Sequence, residues 1–235
     1  LLLIALFGNA LPFSLIAWGQ QRIDSALAGI LMAVMPLATL GLAHYLVPGE
    51  RLTPYRVAGF LFGFLGVAVL IGPDALHAVA DGEAPLLPML AVLAGALCYA
   101  ISAILARLRP PSDALQSAAV TTLLAAGLMV PLVLQPVDRF ASVAPGLPAL
   151  GAVLALGVFS TAWASILYFQ LVASAGPAFV SQLNYLIPLW ALAVGMLFLG
   201  ERPGASALCA LALILGGILL TQLERWRLQR LLKPR

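Results

Sequence analysis

Charge is what this chain most lacks. Of its 235 residues only 9% are Asp, Glu, Lys or Arg, while 63% are hydrophobic. Soluble domains carry roughly a quarter charged residues, so this composition does not suit a water-facing surface. Lipid is the solvent that suits it. Alternating polarity is missing as well. A membrane-spanning barrel strand alternates over about ten positions, and stretches such as 28–45 and 205–220 show no alternation. In hydrocarbon every backbone N–H and C=O must be paired within the protein, which leaves helices. Cysteine and histidine are scarce. Cys98 and Cys209 fall in apolar runs and read as small buried hydrophobes. Two thiols and two distant histidines make no metal cluster, so neither metal nor cofactor is expected. The net charge of +3 collects mostly in the C-terminal tail and gives no nucleic-acid signature.

What is present is a series of long apolar runs, predicted as helices near 1–19, 25–47, 54–72, 86–108, 113–136, 147–172, 178–199 and 204–223. Each is close to the roughly 20 residues that cross a bilayer. Polar or helix-breaking segments separate them: Gln20–Asp24, Pro48–Arg51, Gly72–Asp74, Arg109–Ser112, Gly176-Pro177 and Gly200–Gly204. The longest connection, 73–85, carries Asp74, His77, Asp81 and Glu83. With the C-terminus in the cytoplasm, the cytoplasmic side holds Arg51, Arg56, Arg107, Arg109 and the five basic residues of the tail. The opposite side holds Arg22, Arg139 and Arg202. Basic residues favour the cytoplasmic face, so both ends are expected there. The expected location is the inner (plasma) membrane.

Residues 25–70 resemble residues 177–221. The segment from Ser25 through Pro36-Leu37 aligns without gaps to that from Pro177 through Pro188-Leu189. After a one-residue shift Gly49-Glu50-Arg51 matches Gly200-Glu201-Arg202, and Gly66-Val67 matches Gly217-Ile218. The two Glu-Arg loops fall on opposite sides of the membrane, so the repeats are inverted. Inverted repeats are a frequent way to build a secondary transporter with its site near the midplane.

These motifs carry a resemblance. Leu11–Trp18, Pro36–His44, Pro48–Thr53 and 59–72 resemble the first EamA-type repeat of the drug/metabolite transporter superfamily. Gln182–Pro188 and Leu199–Arg202 resemble the second. The resemblance implies an all-α integral membrane protein of ten helices in two inverted five-helix repeats, with a central cavity and alternating access. Eight helices are seen here. The expected layout is an incomplete first repeat over 1–72, an extracytoplasmic loop over 73–85, a second repeat over 86–223 and a basic cytoplasmic tail over 224–235. The second proline-bearing span is the fourth helix after the long loop and the first is only the second in the chain, so two helices are expected in front of Leu1. Members of the superfamily move amino acids, other metabolites or drugs, mostly outward. The implied partners are a small-molecule substrate and the lipid bilayer; a homodimer is compatible with the sequence.

Residue by residue, Pro36 and Pro188 sit mid-span, where a proline kinks a helix and can serve as a hinge or a static bend. Glu50-Arg51 and Glu201-Arg202 read as membrane-edge anchors. Trp163 and Trp190 fall near span centres, against the interfacial preference of indoles, and can stack on a solute or fill space between helices. Asn9, Gln182 and Asn184 carry amides that must find partners within the bundle, which makes them cavity candidates together with Tyr99, Tyr168 and Tyr185. Ser102, Ser160 and Thr161 are further polar positions, although Ser and Thr commonly bond their own helix. Gly59 and Gly63 form a G-x-x-x-G packing pair. No acid or Lys/Arg lies at mid-span, and His44 is the one imidazole within a span. A membrane enzyme would need a nucleophile–base pair or a metal site, which the spans do not supply. A lipid-linked flippase is a third reading.

Overall fold

The computed structural model describes residues 1–23, 25–71, 85–133, 146–187, 190, 197 and 205–231. Among these the regular structure is entirely helical. Helix α1 is Leu2–Gly19, and five of its residues, Leu6–Ala10, form a π-helical stretch. Helices α2 (Ser25–Met32) and α3 (Val34–Leu46) are two pieces of one span. They are followed by α4 (Pro54–Ile71), α5 (Leu86–Leu108) and α6 (Ala114–Val133). Helix α7 runs over Leu147–Ala175 with a π-helical stretch at Leu156–Trp163. Helix α8 (Pro177–Ser181) continues into a 3₁₀ turn at Gln182–Tyr185, and α9 covers Ala205–Leu231. Among the described residues five segments are long and apolar enough to cross a membrane: Leu2–Gly19, Leu27–Leu46, Leu86–Leu108, Ala114–Pro131 and Leu147–Ala175. Pro54–Leu70 and Leu208–Thr221 are shorter apolar helices. Most of the expected 178–199 span beyond Ile187, Pro188 included, lies outside the described residues, as do 73–84 and Glu201-Arg202.

The break between α2 and α3 has a covalent cause. Pro36 has no N–H for the carbonyl four residues back, and its ring crowds that carbonyl. The chain leaves regular α geometry at Ala33, where ψ relaxes to −10°. Tyr185 braces the break from a neighbouring helix. Its hydroxyl lies 3.4 Å from the Ala33 carbonyl oxygen and 3.1 Å from that of Phe60, and can donate to either. The Tyr185 side chain is almost fully buried, with its ring edge-on to Phe60. It belongs to a core cluster that also includes Leu40, Ala43, Val67, Ile104 and Ile214.

Glycine sets how closely helices approach. On α4, a Cβ added to Gly59 would lie 2.5 Å from the Gly217 carbonyl oxygen of α9. One added to Gly66 would lie 3.0 Å from the Ala210 carbonyl oxygen. The G-x-x-x-G pair is therefore a packing surface. Between α1 and α5, Gly19 abuts the Pro88 carbonyl oxygen at 2.8 Å and Gly95 abuts the Ile16 side chain at 2.8 Å, both measured from the missing Cβ. Without a hydrophobic driving force in lipid, such close backbone approach is a main source of helix association.

Helix ends follow from local chemistry. The Asp113 carboxylate accepts from the Gln116 N–H at 3.0 Å and caps α6. Gly176, at φ +90°, ends α7, and Pro177 opens α8. Cys98 is buried as its apolar run suggests, but Cys209 is exposed: it sits on a face of α9 that no described residue covers.

Candidate functional site

A cavity of about 230 Å³ lies where α1, α3, α5, α6 and α7 meet. Its wall includes Ile4, Gly8 and Asn9 of α1, Met35 of α3, Tyr99 and Ser102 of α5, and Thr121 of α6. Ala164, Ser165, Tyr168 and Phe169 of α7 complete it. The π-helical stretch of α1 explains how Asn9 reaches the wall. There the Leu11 N–H bonds back five residues to the Leu6 carbonyl oxygen. The wider turn accommodates an extra residue, and π-bulges of this kind recur at functional sites. Gly8, in the same turn, lets α1 close onto Ser102: an added Cβ would lie 2.5 Å from its Oγ. Ser102 in turn donates to the Ile4 carbonyl oxygen at 3.4 Å and engages the Tyr168 hydroxyl. Ala164 and Ser165 follow directly on the π-helical stretch of α7.

Among the described residues no lining side chain is formally charged. The wall offers hydroxyls, one amide and aromatic faces, and its hydroxyl groups are not all committed. Thr121 is 5% exposed, and its hydroxyl has no hydrogen-bond partner among the described residues. A buried hydroxyl left unpaired costs about 1–3 kcal/mol, so this is a feature to be explained.

At one end of the bundle a polar belt ties the helices together. Arg56 donates to the Glu50 carboxylate at 2.6 Å, and that carboxylate sits against Gly176, where no side chain would fit. Arg107 donates to the Val172 and Ala173 carbonyl oxygens, which are left open at the end of α7. Arg109 donates to Ser112 and Ser117. The Arg109 guanidinium also lies 4.8 Å from the centroid of the Phe169 ring, which places that ring between the belt and the cavity.

The structure brings three of the sequence-derived candidates, Asn9, Tyr99 and Tyr168, to one cavity. Asn184 is adjacent through Met35: its amide lies 3.2 Å from the Met35 sulfur and 3.0 Å from the Ser181 carbonyl oxygen. Gln182 is buried nearer the belt and donates to Thr221 at 2.8 Å. Tyr185 is part of the core at the helix break. Trp163 and Trp190 stand apart from the cavity, 57% and 69% exposed. Pro36 is buried on α3, one turn beyond the break. Thr121 and Ser165 were not legible as site residues, because hydroxyls in apolar helices usually bond their own backbone.

Comparison with known proteins supplies the rest. A family model described as the EamA-like transporter family matches residues 1–72 and 86–223. A protein of Streptantibioticus cattleyicolor named "Probable terminal-alkyne amino-acid exporter" is 29% identical over 206 residues, covering 88% of this chain and 67% of that protein. An "Uncharacterized transporter" of Archaeoglobus fulgidus is 24% identical over 222 residues, covering 94% of this chain and 76% of that protein. A solved crystal structure at 24% identity superposes with a TM-score of 0.73 over 95% of this chain and 75% of its own, a likeness of fold.

Proposed function

The chain belongs to the EamA-like transporter family, and on that premise we propose that it moves amino-acid-sized solutes out of the cell by alternating access, through the cavity between α1, α5, α6 and α7. The cavity carries this reading. It gathers Asn9, Tyr99 and Tyr168 from three different helices into one uncharged, hydroxyl-rich wall. At about 230 Å³ it falls below the roughly 300–1,000 Å³ of sites that take drug-sized ligands, which favours small metabolites over drugs. The relative named as an amino-acid exporter points the same way.

Contacts between the proposed repeats support an inverted two-fold arrangement. The register that pairs Glu50 with Glu201 and Gly66 with Gly217 also pairs Gly59 with Ala210 and Gly63 with Ile214. The contact of Gly59 with Gly217 then has Ala210 with Gly66 as its image, and both occur. The contact of Gly63 with Gly217 has Ile214 with Gly66 as its image, and both occur as well. In the register of the proline spans, Ala33 pairs with Tyr185, and these two residues touch each other. A contact that is its own image lies on the axis. On this reading the axis passes beside the Pro36 break, where one repeat would rock against the other, and Pro188 would provide the matching bend. The belt of Glu50, Arg56, Arg107 and Arg109 would close the cytoplasmic mouth, with the C-terminus on the same side in the inner membrane.

The test is counterflow in proteoliposomes of the full-length protein, using L-norvaline and L-propargylglycine, the latter a minimal amino acid with a terminal alkyne. Protein-dependent exchange is expected, with KM raised about tenfold by Tyr168→Ala or Asn9→Ala, which is about 1.4 kcal/mol of lost binding. Exchange no greater than in empty liposomes, or unchanged KM in both variants, would overturn the reading.

A further inference from the structure

We propose that Thr121 is a solute-binding residue whose hydroxyl donates to a carboxylate oxygen of the solute. This rests on the reading of the cavity as the transport site and adds to it the group that the site recognises.

The first observation is the unspent hydroxyl. Elsewhere in the molecule hydroxyls bond the carbonyl four residues back: Ser14 to Ala10 at 2.8 Å, Thr39 to Met35 at 2.9 Å and Ser117 to Asp113 at 2.7 Å. Thr121 has that option on the same helix and does not take it. Its side chain is buried in the cavity wall, and among the described residues its donor has no acceptor. A buried polar group without a partner is a place where a bound molecule can supply one.

The second observation is the sign of the charge behind the cavity wall. Arg109 reaches the site twice, through its stack on Phe169 in the cavity floor and through Ser117, one helical turn below Thr121 on the same face. Among the described residues no Asp or Glu lines the cavity. The nearby acid, Asp113, accepts from the first turn of α6. A guanidinium behind an apolar ring favours a negative group over a positive one. A donor hydroxyl with a cation behind it therefore suits a carboxylate, and the remaining wall of aromatic faces and small residues suits an uncharged side chain.

The experiment compares L-norvaline with L-norvalinamide, which lacks the carboxylate, in proteoliposomes of the full-length protein. Wild type is expected to transport norvaline with KM at least tenfold below that of the amide. Thr121→Val, nearly isosteric, should raise the norvaline KM about tenfold and leave that of the amide unchanged; Thr121→Ser should retain the wild-type preference. The melting temperature of solute-free Thr121→Val should match or exceed that of wild type, since no protein hydrogen bond is lost. A lowered melting temperature with unchanged KM would make Thr121 structural and overturn the proposal. Equal wild-type transport of acid and amide would overturn it too. A third arm separates this inference from its premise: Ala164→Cys in a cysteine-free background, blocked after folding by a bulky thiol reagent. If the block stops transport while Thr121→Val leaves KM unchanged, the cavity stands and the Thr121 contact falls. If the block has no effect, or wild type transports neither compound, the cavity reading fails and the inference with it.

Discussion

Helices α1 and α7 look alike in sequence and live in different surroundings. Both are apolar spans, and both carry a π-helical stretch near the middle. Extending the register of the proline spans sets one stretch on the other, with Asn9 opposite Thr161. Yet α1 is packed closely on α5 through Gly8, Gly19 and Gly95, whereas no residue from Leu147 to Trp163 is buried. Among the described residues, Gly151 and Gly157 of α7 have no neighbouring atom within 4 Å of where a Cβ would sit. Hydropathy makes a span; small residues that meet a partner make a packed one. Because lipid is as apolar as a core, the same run of Leu, Val and Gly serves either surface.

Substitutions can sharpen or break this contrast. The largest expected difference is between two aromatic residues. Tyr185→Ala should destabilise by about 3–5 kcal/mol, as removal of a buried ring does, and should cost folded yield. Trp163→Ala should stay within about 0.5 kcal/mol. Thermal unfolding of the purified protein reads both, and equal losses would mean that α7 is as tightly packed as the core. Next comes a pair of glycines. Gly19→Val places a side chain against the Val92 methyl and the Pro88 carbonyl and should destabilise by about 1–3 kcal/mol. Gly151→Val, with open space around it, should change stability by less than about 0.5 kcal/mol. A comparable loss at both positions would break the contrast. The smallest expected effect is on transport: Trp163→Ala should leave KM within twofold of wild type, since the indole lies outside the cavity. A tenfold rise would return Trp163 to the solute path.

How much was legible in the sequence follows from the same physics. Five of the eight expected spans were readable because lipid demands long uncharged runs, and the helix break at Ala33 was readable from Pro36. The packing role of Gly59 and Gly63 followed from their spacing, and the contact with Gly217 bears it out. Asn9, Tyr99 and Tyr168 were legible as polar groups that lipid would not accept. Which of two neighbouring polar residues faces the cavity was not. Gln182 and Tyr185 spend their polar groups on Thr221 and on backbone carbonyls, a matter of tertiary position that spacing does not encode. Thr121 was passed over because the common fate of a helical threonine is a bond to its own backbone. The two midplane tryptophans were singled out by depth in the span, and depth says nothing about the direction in which a side chain points.

The π-helical turn at Leu6–Ala10 makes residue number a mechanical variable. A regular helix advances about 100° per residue, and a π turn amounts to one residue inserted without lengthening the span by a turn. Deleting a single residue between Leu6 and Ala10 would let the helix close into ordinary α geometry, still apolar and still long enough. The turns on either side would keep nearly their present relative orientation, because the wide turn is what absorbs the extra residue. What would go is one residue's place in the turn: if it were Asn9, the wall would keep Ile4 and lose its amide. A relative one residue shorter in this segment would keep the span and its flanks and lose the wide turn, so a one-residue gap in an alignment here is a change of chemistry, whereas the same gap in a loop is only a change of length.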